Sequence, residues 1–279
     1  MTADRYAVVG HPVEHSRSPW IHARFAQLTG QTVDYGRLLA PLDGFRATVE
    51  QFRREGGRGC NVTVPFKFEA AALAQELSPR VRLAGAANTL RFDAAGVYAD
   101  NTDGIGLVRD IQSHAGVDLE GTHVLLVGAG GAAAGVLAPL LDARPTRVVV
   151  ANRTADKAQA LVASHAPLAA GVGVELAWCA LADAPAGFDI VLNATASSLG
   201  GGDVPVAGTV LRPGALAYDM MYGAAAQGFL AWAREHGGQG RDGLGMLVEQ
   251  AAESFRIWRG VLPPTTGVLA ALRELLARG

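Results

Sequence analysis

Hydrophobic positions along the chain form short aliphatic runs that alternate with longer stretches of helical periodicity. In the first hundred residues they predict strands at 6–10, 32–39, 59–64 and 89–92, and helices at 19–28, 42–54 and 65–77. Pro19 and Pro65 suit the first turn of a helix. Short strands interleaved with helices are typical of parallel sheets covered by helices on both faces. This part of the chain is therefore predicted to be α/β.

A second series of the same kind follows. It predicts a strand starting at 122, strands at 147–151, 173–176, 189–193 and 215–219, and helices at 131–141, 154–164 and 227–236. Its strands are strongly apolar, as expected for a parallel sheet. The tail is helical at 245–259 and 265–278 without further strands, so we expect a pair of helices packed on earlier structure.

Composition and charge narrow the class of protein. The chain has 279 residues, of which 49% are hydrophobic and 18% charged, enough to form the cores of two domains. The formal net charge is -2 and no run of Lys or Arg exceeds a dipeptide, so neither nucleic acid nor a membrane surface is an expected partner. Cys60 and Cys179 are far apart and are expected to be small buried hydrophobes.

The chain also lacks the patterns of export and membrane insertion. No stretch reaches the roughly 20 apolar residues of a membrane span, and the N-terminus shows no basic segment followed by a long apolar one. Cytoplasmic residence is therefore expected.

Two compact polar motifs each contain one ionisable residue. Lys67 ends the segment Asn-Val-Thr-Val-Pro-Phe-Lys at 61–67, and Asp103 lies in Asn-Thr-Asp-Gly-Ile-Gly at 101–106. An ammonium and a carboxylate that share one cleft can hold a hydroxyl, transfer its proton and stabilise the charge that develops. Alternatively, Lys67 and Asp103 form an ion pair with a structural role and no part in catalysis. The motifs favour an enzyme that acts on an alcohol or a carbonyl.

A glycine-rich turn follows the apolar run at 124–127. Gly128, Gly130 and Ala133 occupy the positions of a GxGxxG/A fingerprint, in which the first glycine allows the tight turn and the second lets the backbone approach a pyrophosphate. The helix that starts near Gly131 offers free N–H groups and the positive end of its dipole. This arrangement predicts a dinucleotide site.

The end of the next predicted strand indicates which dinucleotide binds. An NAD site usually has Asp or Glu there, whereas this chain has Asn152, Arg153 and Thr154, with Lys157 one turn later. A guanidinium binds a 2′-phosphate in bidentate fashion, and a carboxylate would repel it. The alternative is that Thr154 caps the next helix and Arg153 is solvated. NADP is favoured over NAD.

Near the N-terminus, Ser16 and Ser18 flank Arg17 on a loop between a strand and a helix. Two interpretations are equally favoured. Ser18 is a suitable helix N-cap, and the hydroxyls of both serines could together hold the carboxylate of a small acid. His15 and His22 have no HxH, HExxH or Cys-His partner, which favours surface or core histidines over metal ligands.

Taken in their serial order, the motifs resemble those of shikimate dehydrogenases across nearly the whole chain. The matching segments lie at 16–22, 61–67, 87–89, 101–106, 128–133, 152–154, 193–195, 218–222 and 243–250. The resemblance implies reversible, metal-free, NADPH-dependent reduction of the ring ketone of 3-dehydroshikimate to shikimate, in aromatic amino-acid biosynthesis. The substrate partner is then a small molecule, and the chain is expected to be a monomer or a homodimer.

The resemblance also implies roles for individual residues. The catalytic residues would be Lys67 and Asp103, either of which is a candidate proton donor because their titrations would be coupled. The implied substrate-binding residues are Ser16, Ser18, Asn61, Thr63, Lys67, Asn88, Asp103, Tyr222 and Gln250. The implied cofactor-binding residues are Gly128, Ala129, Gly130, Gly131, Ala132, Asn152, Arg153, Thr154, Lys157, Thr195, Met220 and Gly243.

The implied architecture has two α/β domains. An N-terminal substrate domain would comprise residues 1–103 with 245–279, and a Rossmann domain that binds NADP would comprise residues 104–244. The C-terminal helices would return to the substrate domain and bring Gln250 into the substrate pocket.

Two departures and two alternative functions accompany the resemblance. The chain continues after Tyr222 with Gly-Ala-Ala-Ala, where the family commonly has an Asn-Pro pair and a Thr, and it has three glycines at 200–202.

A quinate or aminoshikimate dehydrogenase would be expected to lack the Arg153 arrangement or to alter the serine pair. A catalytically silent ligand-sensing homologue would be expected to have lost Lys67 or Asp103.

Overall fold

The computed structural model describes residues 3–195 and 206–278, and the chain divides into two compact units. The first comprises Met1–Gly106 with Val248–Gly279, and the second Leu107–Leu247. Each contains a six-stranded sheet, so the predicted α/β class is confirmed. No helix in these described ranges is long and apolar enough to cross a membrane.

The first unit is built on a mixed sheet of order β2-β1-β3-β5-β6-β4. β1, β2 and β3 are parallel, whereas β5 is antiparallel to both β3 and β6. The elements are β1 Asp4–Gly10, α1 Ser18–Thr29, β2 Val33–Leu39, α2 Phe45–Arg54, β3 Gly57–Val62, α3 Lys67–Leu73, β4 Glu76–Leu77, α4 Pro79–Ala84, β5 Thr89–Asp93, β6 Gly96–Asp100 and α5 Asp103–Arg109.

The second unit is built on an all-parallel sheet of order β12-β11-β10-β7-β8-β9. Its elements are β7 His123–Val127, α6 Gly131–Asp142, β8 Arg147–Asn152, α7 Ala155–Val172, β9 Glu175–Ala180, β10 Phe188–Asn193, β11 Leu211–Asp219, α8 Gln227–Glu235 and β12 Gln239–Asp242. The strand order reverses between β7 and β10. In open parallel sheets, ligands bind at the carboxyl ends of the strands beside such a switch point.

The C-terminal helices are α9 Leu244–Arg259 and α10 Thr266–Ala277. The first unit includes α9 from Val248 onward and the whole of α10, so the predicted return of the C-terminal helices is confirmed. Trp258 of α9 stacks on Tyr6 with ring centroids 4.6 Å apart, and its indole N–H donates to the carbonyl of Leu90 at 2.9 Å. These contacts fix α9 against the central strands of the first sheet.

Some elements differ from those predicted. The helix predicted at 65–77 begins at Lys67 and ends at Leu73, and residues 76–77 form a strand instead. β6 and β12 were not predicted, since β12 contains no aliphatic residue and β6 is a short hairpin partner. α7 continues to Val172 through Pro167, a residue that usually ends a helix.

His22 is a core residue of the first unit. It is fully buried, and its ring stacks on Tyr35 with centroids 4.2 Å apart and planes 7° from parallel. Burial lowers the pKa of His22 from 6.5 to about 3, against a smaller opposing effect of the Asn61 side chain.

This neutral histidine makes the first unit sensitive to acid. The unfolded chain would protonate His22 near pH 6.5, whereas the folded protein keeps it neutral down to about pH 3. Its contribution to stability is therefore complete above pH 6.5 and decreases on acidification, by up to about 1.4 kcal/mol per pH unit. We expect urea midpoints measured from pH 6.5 to 4.5 to fall less steeply for His22→Phe than for the wild type. His15→Phe, at an exposed position, should keep the wild-type slope, and an unchanged slope in His22→Phe would contradict this account.

Candidate active site and nucleotide site

Lys67 and Asp103 come together in the first unit. Lys67 is the first residue of α3 and Asp103 is the first residue of α5. Their Nζ and Oδ2 atoms are 2.5 Å apart, and the side chains are 20% and 8% exposed. The ammonium thus remains accessible to a ligand while the carboxylate is almost buried.

Asn88 holds Asp103 from the other side. Its Nδ2 donates to Asp103 Oδ1 at 2.8 Å and also lies 3.2 Å from Oε1 of Gln250. The backbone N–H of Thr102 donates to Asn88 Oδ1 at 2.8 Å, which sets the orientation of the amide. The predicted residues Lys67, Asn88, Asp103 and Gln250 therefore form one connected polar cluster.

Asn61 and Thr63 lie at the carboxyl end of β3. Asn61 Nδ2 donates to Ser254 Oγ at 2.9 Å, and its Oδ1 accepts from the hydroxyl of Tyr35 at 2.7 Å. The methyl group of Thr63 occupies the space above Gly10, where a Cβ would lie 2.5 Å away, so this close approach requires glycine at position 10.

Ser16 and Ser18 lie in the loop at the start of α1. The backbone N–H of Ser18 donates to Ser16 Oγ at 3.3 Å, and Ser18 is buried. The suggestion that Ser18 caps the helix is wrong, because Arg17 holds the cap position and Ser18 is already the first helical residue. Pro19 lies in the first turn, as predicted.

Tyr35, Thr102 and Ser254 join this cluster but were not predicted. Ser254 lies one helical turn after Gln250, so a spacing of four residues on α9 was the available signal. Thr102 lies inside the aspartate motif, and its hydroxyl is 3.3 Å from Oε1 of Gln250. Nothing in the sequence around Tyr35 indicated its contact with Asn61.

A cavity of about 540 Å³ lies in the second unit. It brings together most of the predicted cofactor residues, from the glycine turn after β7, the end of β8 and the end of β10. It is lined by Gly128, Ala129, Gly130, Gly131, Ala132, Asn152, Arg153, Thr154, Lys157, Leu181, Ala194 and Thr195. Leu181 and Ala194 were not predicted.

The glycine turn has the geometry that its sequence requires. Gly128 has φ +115°, and a Cβ there would lie 3.1 Å from the carbonyl oxygen of Ala194. Gly130 precedes α6, and no atom lies within 4 Å of the position its Cβ would take. The first-turn N–H groups of α6 have no acceptor within the helix, which suits an anion.

Arg153, Thr154 and Lys157 form the polar end of the cavity. All three are exposed, and neither cation makes an ion pair with another described residue. Thr154 occupies the N-cap position of α7, but its side chain makes no capping hydrogen bond. Thr154 therefore holds the cap position, as the alternative interpretation expected, but its hydroxyl is not used for capping and remains available to a ligand.

Met220 and Gly243 are not among the residues that line this cavity. They follow β11 and β12, where a Cβ on Gly243 would be 2.3 Å from the carbonyl oxygen of Met220. Tyr222 also belongs to the second unit, where it precedes a 3₁₀ turn at Gly223–Ala226. The glycines at 200–202 lie outside the described residues.

Lys67 and Lys157 are the chain's two lysines, and one lies in each candidate site. Within residues 3–195 and 206–278, no group of three or more His, Cys, Asp or Glu side chains could hold a metal ion.

Cys60 is buried, and burial raises the pKa of its thiol. Cys179 is partly buried, and burial raises its pKa as well.

Comparison with known families finds matches along most of the chain. The shikimate dehydrogenase substrate-binding domain matches residues 8–90, the shikimate / quinate 5-dehydrogenase family matches 110–199, and the shikimate 5′-dehydrogenase C-terminal domain matches 243–273. The chain is 68% identical to the NADP(+) shikimate dehydrogenase of Methylibium petroleiphilum over 279 residues, covering 98% of this chain and 95% of the relative.

Solved structures agree with the sequence matches. An Ael1 enzyme from Pseudomonas putida is 46% identical with a TM-score of 0.86, covering 97% of this chain and 98% of that one. Shikimate 5-dehydrogenase from Thermus thermophilus, solved with NADP(H) and shikimate, is 31% identical with a TM-score of 0.82, covering 97% and 99%. The resemblance seen in the sequence is confirmed, and the chain belongs to the shikimate dehydrogenase family.

Proposed function

We infer that this protein is an NADP-dependent oxidoreductase that reversibly reduces 3-dehydroshikimate to shikimate, in chorismate and aromatic amino-acid biosynthesis. A relative with 68% identity over 98% of the chain carries that activity in its name. The single observation that carries the inference is the 2.5 Å contact between Lys67 and Asp103 within a cluster of hydroxyl-binding side chains.

We assign one role to each of two domains. Residues 1–103 with 245–279 form the substrate-binding and catalytic domain, and residues 104–244 form the NADP-binding domain. In the substrate-binding domain, Ser16 and Ser18 bind the substrate carboxylate, and hydrogen bonds to the ring hydroxyls come from Asn61, Thr63, Asn88 and Gln250. Tyr222 is a further substrate-binding residue of the proposal.

The polar cluster suits a polyhydroxylated ring because its amides are held in fixed orientations. Asn61 accepts from Tyr35 and donates to Ser254, and Asn88 donates to Asp103. Preorganised partners reduce the entropy that is lost when a ligand binds. A ring that carries several hydroxyls needs such directed partners.

The ammonium of Lys67 acts at the ring carbonyl. NADPH, when bound, supplies the hydride that the carbonyl carbon accepts. As negative charge develops on the carbonyl oxygen, Lys67 stabilises it and supplies a proton. Asp103 orients the Lys67 ammonium through their hydrogen bond, and Asn88 restrains Asp103.

The residues of the second unit fit NADP. The open space over Gly130 and the start of α6 suit the pyrophosphate, and Arg153, Thr154 and Lys157 suit the 2′-phosphate. No Asp or Glu is among the described residues that line the cavity, so nothing there would repel the phosphate.

Arg153→Ala tests the cofactor assignment. We expect NADP binding to weaken by about 1.5 to 3 kcal/mol, the range for hydrogen bonds to charged groups, while NAD binding changes little. Titration calorimetry with both cofactors measures the difference. Arg234→Ala, an exposed arginine on α8, is the control and should bind both as the wild type does. Equal losses for NADP and NAD would mean that Arg153 contacts a group common to both.

Initial-rate kinetics with shikimate and quinate, each with NADP and NAD, test the function itself. Shikimate with NADP should give the highest kcat/KM of the four pairs. A preference for quinate with NAD would assign the protein to the quinate enzymes instead. Turnover with none of the pairs, despite shikimate binding, would assign it to the ligand-sensing class.

Cytoplasmic residence and a monomeric or homodimeric state also remain predictions of this proposal. Cell fractionation and light scattering coupled to size-exclusion chromatography measure them.

A further inference from the structure

Asp110 is a buried carboxylate of the second unit that the mechanism above does not use. It begins a π-helical turn, Asp110–His114, that directly follows α5, and it is fully buried. Its Oδ2 accepts from the hydroxyl of Tyr218 at 2.7 Å and from Nε of Arg241 at 2.8 Å. π-Helical turns are rare and occur frequently at functional sites.

The same carboxylate contacts the start of α9. A Cβ placed on Gly245 would lie 1.8 Å from Asp110 Oδ1, so the first turn of the helix reaches the carboxylate because position 245 is glycine. A negative charge beside the N-terminus of a helix is favourable. Asp110 therefore connects the ends of β11 and β12 with the beginning of α9.

Asp110 and Arg241 form an ion pair. Arg241 compensates Asp110, and the hydrogen bond to Asp110 is the main cause that raises the pKa of Arg241. Burial, together with the neighbouring Asp110, raises the pKa of Tyr218 well above its ordinary value, so its hydroxyl stays a donor. The contacts of Asp110 therefore hold the ends of β11 and β12 and the first turn of α9 in fixed positions.

Those segments carry the predicted cofactor residues that lie outside the cavity. Met220 follows Tyr218 by two residues, and Gly243 lies between Arg241 and Gly245. The cavity occupies the ends of β7, β8 and β10, with the phosphate-binding cations beside β8. Because a dinucleotide extends across the switch point of such a sheet, its other half lies toward β11 and β12.

We propose that Asp110 is a positioning residue for the nicotinamide half of the cofactor. By holding Tyr218, Arg241 and the Gly245 turn together, it sets the backbone that presents Met220 and Gly243 to the nicotinamide. The proposal rests on the proposed function, since it requires that NADP bind in this unit.

The test compares Asp110→Asn with the matched control Asp189→Asn. Asp189 is also an aspartate of the second unit that pairs with an arginine, Arg212, but at a partly exposed site away from β12. Three quantities are measured: the Kd of 2′,5′-ADP, which lacks the nicotinamide, the fluorescence anisotropy of saturating NADPH, and kcat with shikimate.

Asp110→Asn should keep the Kd of 2′,5′-ADP within about twofold, lower the anisotropy of bound NADPH and reduce kcat at least tenfold. Asp189→Asn should leave all three near wild type. A native kcat and anisotropy in Asp110→Asn, or a loss of 2′,5′-ADP affinity that parallels the loss of kcat, would overturn the proposal.

Tyr218→Phe removes one hydrogen bond from the cluster and keeps the ion pair of Asp110 with Arg241. If Asp110→Asn does not fold, Tyr218→Phe decides the question, with the same pattern expected at smaller amplitude and the same results overturning it. A wild-type protein that binds neither 2′,5′-ADP nor NADPH would instead refute the proposed function.

Discussion

Lys67→Ala should lower kcat by about two to four orders of magnitude while shikimate affinity stays within about tenfold. The ammonium contributes most when negative charge develops on the carbonyl oxygen, so its loss affects the transition state more than the bound substrate. The Lys67 side chain contacts Asp103 and is 20% exposed, so its ammonium is accessible to the carbonyl oxygen of a bound substrate. Single-turnover and steady-state rates, with shikimate affinity measured by calorimetry, separate the two effects.

Lys157→Ala provides the matched control, because Lys157 is the chain's other lysine. It should raise the KM for NADP and leave kcat near native when NADP is saturating. Near-native turnover in Lys67→Ala would show that the acid/base assignment is wrong.

Asp103→Asn should also lose most of its turnover, by about 100-fold or more. Asparagine can still accept a hydrogen bond from Asn88, so the change removes the charge that faces Lys67 and keeps much of the local geometry. Asp34→Asn, at an exposed position on β2, should keep the wild-type rate. Native turnover in Asp103→Asn would mean that the ammonium acts without the carboxylate.

The sequence predicted the elements that have a strong apolar pattern. All the strands of the second unit except β12 contain aliphatic side chains, and the sequence predicts each of them. β12 was missed because Gln239–Asp242 has no aliphatic side chain, and its place depends on pairing with β11. α7 extends to Val172, eight residues beyond the predicted end at 164, and it contains Pro167, a residue type that usually interrupts a helix.

The residues of the candidate sites were predictable where they lie in contiguous motifs, and not where they meet only through the fold. Contiguous motifs indicated the residues around Lys67 and around Gly128, and the structure brings each group together. Tyr35 contacts Asn61 across the first sheet at 2.7 Å, a proximity that no local pattern encodes. Asp110 likewise meets Arg241 through the fold of the second unit, 131 residues further along the chain.

In the proposed function, the first unit binds shikimate around Lys67 and the second binds NADP around Lys157. Amine acylation followed by peptide mass spectrometry distinguishes the two sites, because these are the two lysines of the chain and the N-terminal amine is an internal reference. Shikimate should slow acylation of Lys67 and leave Lys157 unchanged, and 2′,5′-ADP should slow acylation of Lys157 and leave Lys67 unchanged. Protection of the same lysine by both ligands, or of neither lysine by either ligand, would contradict the account.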